Sequence, residues 1–124
     1  MSLAPGSNPA RVKHRGMSAL ADKDCVPCKG GVPPMDRAQI EQFLTQVEGW
    51  QAIDGHHLTK SYKFKDFAGA LAFVDRVGAM AEEQWHHPDV YLAWGAVRID
   101  IWTHKIDGLT ESDFVFAAKC DALV

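Results

Sequence analysis

The sequence predicts an α+β fold: a four-stranded antiparallel sheet with three helices packed on one face, in the order helix-strand-strand-helix-strand-strand-helix. Three observations carry that expectation. Apolar residues recur at helical spacing in three segments, each opened by a capping residue: Asp36, Asp66 and Thr110. Between those segments lie two pairs of short, strand-like stretches. Each pair is divided by a turn signal, Asp54-Gly55 in the first and Gly95 in the second. Strands joined so closely pair antiparallel, because a parallel neighbour needs a crossover of about a dozen residues or more.

Each element follows from its residues. Asp36 with Gln39 three positions on makes a capping box, and Ile40, Phe43, Leu44 and Val47 continue at helical spacing until Gly49. Residues 50–53 and 58–64 form the first hairpin, with His56-His57 placed to lengthen its loop. In the second of these strands Leu58, Tyr62 and Phe64 share a face with Lys60, while Thr59, Ser61, Lys63 and Lys65 share the other; one side is buried and one is wet. Asp66 caps a long helix running to about Gln84. Phe67, Leu71, Val74, Val77 and Ala81 trace its apolar stripe, with Ala70 and Met80 at the margins. Pro88 disfavours helical geometry at His87, so that helix ends near Trp85. Residues 90–94 and 97–102 form the second hairpin, and Val97, Ile99 and Ile101 alternate with Arg98, Asp100 and Trp102. Thr110 then caps a last helix carrying Phe114, Ala117, Ala118 and Leu123.

The 124 residues fit one domain. Residues 1–34 contain Pro5, Pro9, Pro27, Pro33 and Pro34 with Gly6, Gly16, Gly30 and Gly31, a composition unsuited to a core. They read as a flexible, dispensable Pro/Gly-rich leader, and residues 35–124 as the folding unit. A unit that small gains from pairing with copies of itself. Met17 is a candidate start, with residues 1–16 an upstream extension. The patch Arg11, Lys13, His14 and Arg15 is too short for a transit peptide.

Net charge is −3 with acids and bases mixed, so no basic stripe invites nucleic acid. No apolar run approaches the roughly 20 residues of a membrane span, and no continuous apolar region marks a secretory signal. Three cysteines argue against a disulfide scaffold and point to a reducing, cytoplasmic setting. Cys25-Val26-Pro27-Cys28 has metal-knuckle or redox spacing. A structural zinc site needs four ligands and only Cys120 remains. A redox pair should open a helix, yet Lys29-Gly30-Gly31 follows. The motif therefore reads as a thiol pair in the leader.

The chemistry concentrates in the second half: Glu82-x-x-x-His86-His87-Pro88, then Trp94, His104 and Asp113. Histidine exchanges protons near neutral pH, and these residues stand at helix ends, loops and strand ends, where side chains are reachable yet held. Neighbouring side chains in an extended segment point in opposite directions, so His86 and His87 do separate work. Asp113 has two readings that are compatible: a carboxylate at the third helical position that completes the Thr110 cap, and a group hydrogen-bonding His104 or a substrate. Glu82 sits in a last helical turn, where the dipole disfavours an acid, which favours a site role such as accepting a ring N–H. Trp85, Trp94 and Trp102 offer flat surface for a bicyclic ring, or for packing. His56 and His57 adjoin a turn and read as solvated.

This string resembles, position for position, that of the pterin-4a-carbinolamine dehydratases, from Glu82 through His86-His87-Pro88, Trp94 and His104 to Asp113. The stretch Thr103-His104-Lys105-Ile106-Asp107-Gly108-Leu109-Thr110-Glu111-Ser112-Asp113 is similar to that family's Thr-His…Gly-Leu-Ser/Thr-x-x-Asp segment, and the likeness covers most of residues 35–124. The resemblance implies the same α+β fold. It also implies dehydration of 4a-hydroxytetrahydropterin (the 4a-carbinolamine) to quinonoid dihydropterin and water, which recycles the tetrahydrobiopterin spent by aromatic amino-acid hydroxylases. An acid protonates the hydroxyl leaving C4a and a base takes the proton from N5, so the pterin is the substrate and neither cofactor nor metal is needed. Carried over, His86 and His104 are the acid–base pair, His87 binds substrate or assists, Asp113 orients His104, and Glu82 and Trp94 contact substrate. Homodimers or homotetramers are implied as well. Trp85 departs from the family, which often has Asp or Asn there. Some animal members also bind a transcription factor through a self-associating helical surface, so a protein-binding module without catalysis is the alternative. A metal site of His86, His87, His104 and Asp113 is weaker, since adjacent histidines seldom converge on one ion.

Overall fold

The computed structural model describes residues 19–26 and 32–124. Cys28, Met17 and the basic patch at Arg11, Lys13, His14 and Arg15 lie outside them. Three helices, α1 (Arg37–Leu44), α2 (Phe67–Gln84) and α3 (Glu111–Ala122), pack on a sheet of β1 (Gln51–Ile53), β2 (His57–Lys63), β3 (Asp89–Ala93) and β4 (Ala96–Ile101). The sheet is antiparallel throughout, in the order β1-β2-β4-β3. The expected fold class is therefore observed, with strand ends shifted by at most one residue. None of the described helices is long and apolar enough to cross a membrane.

Local chemistry explains the element ends. Asp36 and Gln39 form the capping box on α1, and Asp66 Oδ1 accepts from Gly69 N–H at the start of α2. Asp54 and Gly55 both take positive φ (55° and 66°), the geometry that a tight hairpin turn demands. His56 lengthens that turn by one residue and bonds Ile53 O, while His57 already pairs in β2. Gly108 is required by a close approach: a Cβ there would lie 2.6 Å from Pro34 Cβ.

The core lies between the helices and the inner sheet face. Leu58, Val97, Ile99, Ile101, Phe73, Phe114 and Phe116 are fully buried in it. Lys60 interrupts the apolar face of β2 without penalty, because its ammonium bonds Asp121 Oδ1 (2.9 Å) and Glu48 O (3.0 Å). Tyr62 O–H and Trp50 Nε1–H donate to the same carboxylate.

Two expectations are corrected. The buried side of α2 is Ala70, Phe73, Val77, Met80 and Ala81, whereas Phe67 and Leu71 are exposed. Both stripes are apolar in sequence, and the phase is set by Phe73, whose ring meets Tyr62 and Phe64 at 4.7 and 5.2 Å. The second concerns the leader. Residues 19–26 are not apart from the core: Ala19–Asp22 makes a 3-10 turn against α3, and Leu20 is 2 % exposed. Ala21 O accepts from Lys119, Cys25 N–H donates to Gln84, and Val26 and Ser112 exchange two hydrogen bonds. With the sheet on one side and this strap on another, α3 is buried almost all round, from Ser112 to Ala118 and at Cys120. Composition cannot reveal a strap that needs one leucine and backbone partners.

Candidate active site

The site is built where α2 stops. Trp85 adopts left-handed backbone (φ 52°, ψ 47°), its N–H returns to Glu82 O, and His86 N–H returns to Ala81 O (3.1 Å). That pair of bonds is a Schellman ending, which glycine or asparagine fits and which costs other residues about 1–2 kcal/mol. Trp85, named above as a departure from the family's usual Asp or Asn, occupies this geometry 75 % exposed, touched by the His87 ring at 5.0 Å. The reversal sends the two histidines apart, as expected for neighbours.

His86 reaches α3. Its Nε2 lies 2.6 Å from Oδ1 of Asp113, which is fully buried, and its ring meets Phe116 edge-on at 5.8 Å. The other oxygen, Oδ2, accepts from Thr103 Oγ1–H (2.8 Å) and from Thr110 N–H (2.9 Å). A carboxylate surrounded by donors accepts from His86 too, so Nε2 carries the hydrogen and Nδ1 is left to exchange protons. Asp113 thus does both jobs foreseen for it, capping α3 and holding a histidine. The histidine is His86, however, and not His104. Side-chain direction decides this: Asp113 faces the end of α2, across a gap that spacing along the chain does not encode.

His87 turns back to α2, where its Nε2 lies 2.6 Å from Glu82 Oε2. Glu82 was expected to meet a ligand; in this structure it holds His87, and both are largely exposed.

His104 begins a 3-10 turn, His104–Ile106, closed at its base by the Thr103↔Gly108 bridge. It is exposed, and its ring lies 4.5 Å from that of Trp102. Thr103 is the link to His86, since the residue before His104 donates to the carboxylate that His86 shares. Trp94 does not join the group. It is 68 % exposed in the β3–β4 turn, at the far end of a hairpin whose near end pairs Asp89 with Asp100. Five strand residues separate the two ends, about 17 Å at the usual rise. The indoles beside the histidines are Trp85 and Trp102.

Sequence reasoning foresaw the Thr110 cap but missed Thr103 as a partner of the dyad, and it read His56 and His57 as solvated. They are half-buried around Trp102, with ring distances of 5.1 and 5.8 Å. A hollow of about 540 Å³ on the open sheet face is lined by His57, Thr59, Arg98 and Asp100 among others, and His86 and His87 are not in its walls. The dyad, with its buried carboxylate, is the stronger marker of chemistry than the hollow.

Residues 33–123 match the family described as pterin 4 alpha carbinolamine dehydratase. A Rubrobacter xylanophilus protein named "Putative pterin-4-alpha-carbinolamine dehydratase" is 59% identical over 107 residues, covering 86% of this chain and 100% of its own. A solved structure described as a transcriptional coactivator/pterin dehydratase from Brucella melitensis has a TM-score of 0.69 at 34% identity, over 73% of this chain and 97% of that one. A second, described as a pterin dehydratase-like protein identified as a RuBisCO assembly factor in the alpha-carboxysome, has a TM-score of 0.54 at 28% identity, over 61% and 89%. The chain belongs to the pterin 4 alpha carbinolamine dehydratase family.

Proposed function

We propose that the protein dehydrates 4a-hydroxytetrahydropterin to quinonoid dihydropterin and water by histidine acid–base catalysis, as a step in tetrahydrobiopterin recycling. The observation that carries this reading is the Asp113–His86 dyad, whose partners fix the tautomer and leave one imidazole nitrogen for proton exchange. His86 and His104 are the acid–base pair: one protonates the hydroxyl leaving C4a and the other takes the N5 proton. Each such group typically contributes about 10²–10⁴-fold. His87, steadied by Glu82, contacts the pterin. Trp85 or Trp102 offers it a flat face. The hydroxyl oxygen departs as water with the proton it receives, no electrons change hands, and neither cofactor nor metal enters the scheme. A cytoplasmic place, serving an aromatic amino-acid hydroxylase, agrees with Cys25 and Cys120, which are free thiols among the described residues.

The exposed stripe of Phe67 and Leu71 on α2 supports self-association as a homodimer or homotetramer, beginning with a second copy on that helix. The same stripe favours the second reading, a protein-binding module that needs no catalysis. The descriptions of the two structural neighbours as coactivator and assembly factor lend that reading weight.

The test is a dehydration assay on 4a-hydroxytetrahydropterin with and without exhaustive chelation. Turnover that chelation leaves unchanged is expected. No acceleration over buffer would move the protein to the binding reading, and a loss restored by one equivalent of metal would replace acid–base chemistry with a metal site.

A further inference from the structure

Beyond the string of residues that carries the chemistry, one cluster is built with comparable care and has no role so far. His56 Nε2 lies 2.7 Å from Asp107 Oδ1, and His56 Nδ1 lies 3.1 Å from His57 Nδ1. A carboxylate accepts, so Nε2 of His56 carries a hydrogen. With both rings neutral, His57 must then supply the hydrogen between the two Nδ1 atoms. The result is a directed chain from His57 through His56 to Asp107. All of it surrounds one indole: the rings of His56, His57 and His104 lie 5.1, 5.8 and 4.5 Å from that of Trp102.

Asp107 is where this chain matters. It ends the 3-10 turn that His104 begins, in left-handed backbone at φ 53°, with its N–H on His104 O. The turn is fastened at its base by the Thr103↔Gly108 bridge, and the His56 bond fastens it to the turn between β1 and β2, 51 residues away in sequence.

We propose that His56 and Asp107 are a positioning pair for His104: their hydrogen bond pins the His104–Ile106 turn to the β1–β2 turn and holds the His104 imidazole against Trp102. The functional half of this rests on the reading of His104 as a proton-transfer group; the positional half does not. A hydrogen bond to an exposed carboxylate contributes little to folding stability, and Asp107 is largely exposed. The effect therefore falls on geometry, where a displacement of about 1 Å can lower a rate as much as about 10²-fold.

The experiment compares the wild-type chain with His56→Ala, Asp107→Gly, which keeps the left-handed backbone at ease, and His56→Gln, which keeps a donor for Asp107. Two readings are taken: the His104 Cε1–H resonance, displaced in the wild type by the ring current of Trp102, and steady-state dehydration kinetics. In His56→Ala and Asp107→Gly the resonance should move toward the free-imidazole position. The kcat should fall about tenfold with KM within about twofold and the melting temperature within about 3 °C. His56→Gln should restore both readings. An unmoved resonance in His56→Ala and Asp107→Gly overturns the inference whatever the rate. So does a moved resonance with wild-type kcat in an enzyme that His104→Ala inactivates. If the resonance moves but His104→Ala itself turns over at the wild-type rate, the acid–base reading of His104 fails and the positioning stands.

Discussion

His86 is held by a carboxylate with no solvent exposure, at 2.6 Å, on a helix buried almost all round, whereas His104 lies exposed against an indole at the head of a short turn. The first arrangement fixes a tautomer and a direction at the expense of burying a charged group, which is tolerable because every acceptor lobe in use has a donor. The second holds the ring through a short turn and an indole, and leaves it open to solvent. His87 separates the two variables. It has a carboxylate partner at the same 2.6 Å, but both groups are exposed. Burial, more than the presence of a carboxylate, is what sets the His86 pair apart from the His87 pair.

The largest effect should come from breaking the buried end. Asp113→Ala leaves Thr103 O–H, Thr110 N–H and His86 without their shared acceptor, and should lower stability by about 3 kcal/mol, read as the denaturant midpoint. His104→Ala should stay within about 0.5 kcal/mol of wild type, because an exposed side chain is being removed. Equal destabilisation by both would erase the contrast.

Next comes the strap that covers α3. Leu20→Ala should cost about 2–3 kcal/mol, and deletion of residues 1–26 should lower the melting temperature by more than about 5 °C. Burial pushes the Cys25 thiol up from 9.0 to about 11. Its thiolate fraction at neutral pH is then about 100-fold below that of an ordinary thiol, so alkylation should be slow and should accelerate in Leu20→Ala. Because the folded-state value is raised, this group's contribution is full below about pH 9 and is lost as pH climbs through about 11. A deletion variant with unchanged melting temperature would return residues 19–26 to the status of a leader.

Smaller still is the effect at His87. Glu82→Gln should leave stability within about 0.5 kcal/mol, as for an exposed pair, and raise the KM for the pterin with kcat little changed. A fall in kcat matching that of His86→Ala would place His87 in the proton transfer itself. At Trp85 the expected change is a gain: Trp85→Gly relieves left-handed strain and should stabilise by about 1 kcal/mol, net of the lost contact with His87. Destabilisation would show that the indole is anchored by something beyond that contact.

How much of this was legible before the fold? The caps at Asp36 and Asp66, the Asp54-Gly55 turn and the end of α2 near Trp85 are local, and local chemistry decides them. The residues from Glu82 to Asp113 stood out as a set through the spacing they share with the pterin-4a-carbinolamine dehydratases. Their pairing was not legible. Asp113 is 27 residues from His86, and which histidine it faces depends on the direction of a side chain on one helix relative to the end of another. Trp94 fits the string by count and misses the group in space, because a full strand runs between them. The phase of α2 was ambiguous for a plainer reason: Phe67 and Leu71 are as apolar as Ala70 and Phe73, and only packing on the sheet chooses.

The central claim is that His86 and His104 act as one acid–base pair although they are held so differently. A double-mutant cycle on dehydration of 4a-hydroxytetrahydropterin tests it most directly, with His86→Ala, His104→Ala and the combined variant. Groups that serve a single proton-transfer unit are strongly non-additive. Each single variant should lose at least about tenfold in kcat, with the His86→Ala loss about 10² or more, and the double variant should be little worse than the poorer single. Near-wild-type turnover in either single variant, or losses that simply multiply in the double, would contradict the claim.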